Sequence, residues 1–98
     1  MRGILVTMIE IYCTATGKVQ GVAYRDYIQR SAGELGLCGW VENQEDGTVA
    51  VCAQGLPDIL KDFVEYLNEG SLAAQVDSIS IDWRTAKEVF EDFNIIYK

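Results

Sequence analysis

Between Ile9 and Thr16 apolar and polar positions alternate, with Ile9, Ile11, Cys13 and Ala15 set against Glu10, Tyr12, Thr14 and Thr16. A period of two is the pattern of a half-buried strand. After the glycine-bearing stretch "GKVQGVAYR", Tyr24, Tyr27, Ile28, Ala32 and Leu35 recur at helical spacing, and Gly36 stands where a helix commonly ends. Two short runs, "LCGWVEN" and "TVAVCAQ", flank "QEDG", and Asp46-Gly47 in a short polar gap signals a hairpin. Pro57 suits the first turn of a second helix, whose Ile59, Leu60, Phe63, Val64 and Leu67 form one apolar stripe ending near Gly70. Ile79, Ile81 and Trp83 then alternate in a strand, and Phe93, Ile95 and Tyr97 in a last one.

The order strand, helix, strand, strand, helix, strand, plus one terminal strand, is a split βαβ pattern. It predicts an α+β fold, a ferredoxin-like α/β sandwich with two helices on one face of a mainly antiparallel sheet. The 98 residues make one domain, 1–98, with 1–8 an N-terminal extension, and 49% hydrophobic residues suffice for a two-layer core. "MRGILVTMIE" begins like a signal peptide, but Glu10 interrupts the apolar run and the alternation takes over, so the expectation is a cytoplasmic protein. No apolar run approaches membrane-spanning length.

Charge and cysteine content narrow the chemistry. A net charge of −7 opposes nucleic-acid binding, which rests on clustered cations, and any anion site must therefore be local. Cys13, Cys38 and Cys52 sit in apolar runs and read as buried free thiols in a reducing compartment. The chain has no His and no CxxC pair, which leaves a zinc site or a His-dependent triad without its residues.

The segment Gly17 to Arg25 joins a strand to a helix N-terminus, where free N–H groups and the helix dipole favour an anion. Gly17 and Gly21 would allow close backbone approach to an oxyanion. Arg25 in the first helical turn opposes the dipole by a few tenths to about 1 kcal/mol unless an anion sits between the two. A guanidinium also matches two phosphate oxygens at once. The residues alone leave two readings open, a tight strand-to-helix turn or an anion cradle, and the P-loop spacing is absent.

"GKVQGVAYR" resembles the first signature of the acylphosphatase family, G-x-V-Q-G-V-x-[F/Y]-R. Gly39, Trp40, Val41, Asn43, Gly47, Val49 and Gly55 are similar to its second, and the likeness runs from about Ile9 to Lys98. The resemblance implies hydrolysis of small-molecule acyl phosphates to carboxylate and inorganic phosphate by a monomer with no metal or organic cofactor. By motif position it implies Arg25 as the phosphate-binding residue and Asn43 as the one orienting the attacking water. Gly17, Lys18, Val19, Gln20, Gly21 and Val22 would supply the cradle, chiefly through backbone amides from Lys18 to Val22.

Three residues depart from the family pattern. Ala23 replaces a common Gly, which costs roughly 1 kcal/mol only where φ must be positive. Tyr24 replaces the commoner Phe and brings a hydroxyl that needs a partner. Glu42 is acidic, yet strand alternation turns it away from Asn43. Lys18 reads either as added charge at the cradle or as a solvated loop lysine. The competing functional reading is a non-catalytic phosphate- or anion-binding module of the same fold.

Overall fold

The computed structural model describes residues 8–97; the first seven positions of the expected extension lie outside them. The elements are β1 (Ile9–Lys18), α1 (Tyr24–Glu34), β2 (Cys38–Asn43), β3 (Val49–Gln54), α2 (Pro57–Glu69), β4 (Gln75–Thr85) and β5 (Phe93–Ile96). They form one five-stranded sheet in the order β4-β1-β3-β2-β5. All neighbouring strands are antiparallel except β2 and β5, which run parallel. This is the ferredoxin-like sandwich that the alternation predicts.

Register explains which face is core. Cys13 lies opposite Val51, and Val51 opposite Val41, so these side chains share one face and all are buried there. Helix α1 lies over β2 and β5 while α2 lies over β1 and β4, and Ile28, Ala32, Leu60, Phe63 and Leu67 close the core from above. Pro57 occupies the first turn of α2, where its missing N–H has no helical partner to lose. On the edge strand β4, the core-face residues Ile81 and Trp83 remain 39% and 43% exposed, because α2 does not reach them.

The opposite face carries an aromatic and ionic layer. Tyr12 and Trp40 meet edge to face at 5.9 Å, and Arg84 stacks over the Tyr12 ring at 5.0 Å. The Arg84 Nε donates to Glu10, whose other oxygen accepts from Gln54 Nε2 at 2.9 Å. Gln54 also accepts from the Phe90 N–H at 3.0 Å and so ties the β4–β5 connection to the sheet.

One cysteine departs from expectation. Cys13 and Cys52 are buried, and burial first, then mutual charge repulsion, pushes the Cys13 thiol up to about 12. Cys38, at the start of β2, is only half-buried, with its Sγ donating to the Glu91 carbonyl at 3.4 Å. It lies next to the parallel edge strand and beyond the layer the helices cover.

Candidate functional site

The β1–α1 connection is built by side chains that hold its carbonyls and its path while leaving its amides free. Val19 is buried and anchors the loop to the core. Gln20 reaches the β2–β3 turn, its Nε2 donating to the carbonyls of Gln44 at 2.8 Å and Thr48 at 2.9 Å. From the other side Ser71 Oγ donates to the Val22 carbonyl at 2.8 Å. Among the described residues, no backbone N–H from Val19 to Asp26 donates to a protein acceptor; the first to do so is that of Tyr27, which bonds the Ala23 carbonyl at 3.1 Å. A run of unpartnered amides at a helix N-terminus is a concave donor surface for an anion.

The backbone needed for this turn is unusual. Ala23, at the N-cap of α1, has φ 60° and ψ 24°, the left-handed region, and no side chain caps the helix. The condition under which Ala in place of Gly is costly is therefore met. Gly17 has a different reason for being glycine. Beyond a bulge between Thr16 and Gly17, it pairs with Val76 in β4, and a Cβ there would lie 2.2 Å from the Gln75 carbonyl oxygen. The close approach is to the neighbouring strand.

The walls of the site come from three parts of the chain. Val19, Gly21, Ala23, Tyr24, Arg25, Asp26, Ile95 and Tyr97 enclose a cavity of about 120 Å³. The Arg25 guanidinium lies 5.0 Å above the Tyr97 ring, a cation–π contact that fixes its position. Asn43 ends β2 opposite Val49, on the core-facing side of the sheet, and lines an adjoining trough of about 340 Å³ with Arg25, Gln44, Glu45, Ile96 and Tyr97. Its Oδ1 is buried, and no protein donor reaches it. A buried acceptor left in this state costs about 1–3 kcal/mol.

The fold thus brings Arg25 and Asn43 to one wall, with Val19 and Gly21 around the smaller cavity. Gly17 and Lys18 are still strand residues, paired with Val76 and Gln75; both are exposed and neither lines the two cavities. Gln20 and Val22 lie behind the loop through their hydrogen bonds. Glu42 accepts from Gln44 Nε2 at 3.1 Å, on the opposite side of the strand from Asn43. The Tyr24 hydroxyl finds its partner in the Leu67 carbonyl at 2.6 Å. Ile96, Tyr97 and Asp26 escaped the sequence reading; the alternation through Phe93, Ile95 and Tyr97 was the one signal that put an aromatic at this position.

The chemistry available is anion recognition by N–H groups and a guanidinium beside a carboxamide. Among the described residues, no group of three or more His, Cys, Asp or Glu side chains is arranged to hold a metal ion. A family model described as Acylphosphatase matches residues 11–95. An acylphosphatase of Dehalococcoides mccartyi is 43% identical over 82 residues, 83% of this chain and 90% of the relative. One of Salinibacter ruber is 40% identical over 80 residues, 82% of this chain and 84% of that protein. The crystal structure of acylphosphatase from Bacillus subtilis superposes with a TM-score of 0.88 at 35% identity, covering 91% of this chain and 99% of that one.

Proposed function

The chain belongs to the acylphosphatase family, and from that premise we propose how its residues hydrolyse the carboxyl-phosphate bond of small acyl phosphates. The phosphoryl group sits in the cavity at the start of α1, where unpartnered amides among the residues that line it and the Arg25 guanidinium meet its oxygens. Arg25 supplies two parallel donors, and the amides supply partial positive charge that costs no reorganisation during reaction. Asp26, in the same first turn, interacts favourably with the helix dipole but also lines the cavity, so the amides and the Arg25 guanidinium have to outweigh its negative charge to hold the phosphoryl group.

Asn43 orients the nucleophile. A water that donates one proton to the Asn43 Oδ1 turns a lone pair toward phosphorus. The new P–O bond forms as the bond to the acyl oxygen breaks, and that bonding pair leaves on the carboxylate. The water protons pass to the phosphate product and solvent. A carboxylate is a good leaving group, so positioning and charge stabilisation carry the reaction without a strong base. A neutral amide also adds no negative charge beside the phosphoryl oxygens.

The observation that carries this reading is the buried, unpartnered Asn43 Oδ1 on the same wall as Arg25. That acceptor is placed to take a hydrogen bond from a water at the site, which a module that only bound phosphate does not need. We further propose a cytoplasmic monomer that binds no nucleic acid, in keeping with three free thiols and a net charge of −7.

The test is phosphate release from benzoyl phosphate, with EDTA present. Wild type turns over. Asn43→Ala loses about 10²–10³-fold in kcat, the usual loss for one positioned polar group, with its fold intact. Arg25→Lys loses most of the phosphate affinity and activity, because an ammonium cannot reproduce the two-point contact. Near-normal rates in Asn43→Ala overturn its role, and phosphate binding without turnover in wild type returns the binding-module reading.

A further inference from the structure

We propose that the acyl group lies in the trough beside the cradle, and that Glu45 there selects neutral acyl groups over anionic ones. The inference rests on the phosphoryl assignment above. Arg25 and Tyr97 line both the 120 Å³ cavity and the 340 Å³ trough, so a substrate whose phosphoryl group fills the first extends past them into the second. The smaller space is many times the roughly 10–15 Å³ that one water needs and can take a phosphoryl group, and the larger, open to solvent, leaves room for an acyl group.

The trough's lining favours an apolar guest. Ile96 is 38% exposed and Tyr97 71% exposed, and the Tyr97 ring is held from one side by Arg25. An aliphatic or aromatic acyl group laid on these two side chains takes apolar surface out of water. Of the six residues that line the trough, Arg25 is the cation and Glu45 the anion. With the guanidinium engaged by the phosphoryl group, Glu45 sets the local sign of the field at the acyl end. A free carboxylate on the acyl chain meets that charge while Arg25, the lining's cation, is engaged by the phosphoryl group.

The experiment compares butyryl phosphate with succinyl phosphate, which have the same chain length and differ by a terminal methyl against a carboxylate. Wild type has the higher kcat/KM for butyryl phosphate. Glu45→Gln raises the succinyl-to-butyryl ratio by about three- to fivefold at low salt, and Glu45→Lys by about tenfold. Both effects shrink toward unity near 1 M salt, where the screening length falls to about 3 Å. Glu65→Gln on the exposed face of α2 changes net charge equally and leaves the ratio alone. A ratio within twofold of wild type in both Glu45 variants, or an equal shift in Glu65→Gln, overturns the acyl assignment while the activity stands. A wild-type chain that hydrolyses neither compound overturns the activity reading as well.

Discussion

Ala23→Gly should stabilise this protein, although it removes a methyl group and adds freedom to the unfolded chain. At φ 60° and ψ 24° the Ala23 Cβ crowds its own backbone, which costs an L-residue about 1–2 kcal/mol. Glycine relieves that cost. It returns about 0.4–1 kcal/mol through the larger entropy of the unfolded state. Ala23 is exposed, so little burial is lost, and glycine is also the better N-cap where no side chain serves. The net gain is about 0.5–1 kcal/mol, or a rise in Tm of about 2–8 °C for a domain of this size. Urea unfolding followed through Trp40 and Trp83 fluorescence reads the effect as a higher midpoint at unchanged slope. A midpoint equal to or below wild type, with the slope unchanged, would show that the left-handed turn is not strained and would refute the reasoning.

Two further outcomes follow from buried polar contacts. Tyr24→Phe keeps the ring in the core but leaves the Leu67 carbonyl, in the last turn of α2, without its donor; it should cost about 1–2 kcal/mol and lower Tm by several degrees, and an unchanged Tm would mean that carbonyl is satisfied otherwise. Burial pushes the Glu10 carboxyl up, but hydrogen bonds from Gln54 and Arg84 and the Arg84 charge outweigh it and hold it below its ordinary 4.5. A depressed folded value means this contribution is complete above about pH 4.5 and is lost as pH falls through the lower folded value, so the stability gap between wild type and Glu10→Gln should be constant near neutrality and shrink in acid. A gap that widens below pH 4 in urea melts would reverse the assigned direction.

The element order was legible because each element buries one face, and one-sided burial writes its period into the chain. Ile11, Cys13 and Ala15 alternate for this reason, and the α2 stripe from Ile59 to Leu67 repeats at helical spacing for the same one. Strand β3 shows the limit. All of its residues from Val49 to Gln54 are buried, because helices cover one face and the aromatic and ionic layer the other, so its pattern is a continuous run with no period to read. The reason for Gly17 was also hidden. What forbids a side chain there is the backbone of β4, some 60 positions later, and nothing local to "GKVQG" announces it.

The site divides along the same line between local and distant causes. The candidate cradle is one contiguous segment, so Gly21, the arginine at the helix start and the case for an anion between them could be argued from neighbours in sequence. Asn43 required the hairpin, and chain order alone could not distinguish an orienting amide from a turn cap. The far wall was invisible until β5 was known to run parallel beside β2. Parallel pairing aligns the C-terminal ends of the two strands, with Glu42 opposite Ile96, and so delivers Tyr97 beside Asn43 and beneath Arg25. On the proposed reading, phosphoryl recognition is written in one short motif. The proposed acyl end depends instead on a pairing between residues more than 50 positions apart, so substrate choice would vary between chains that share the motif.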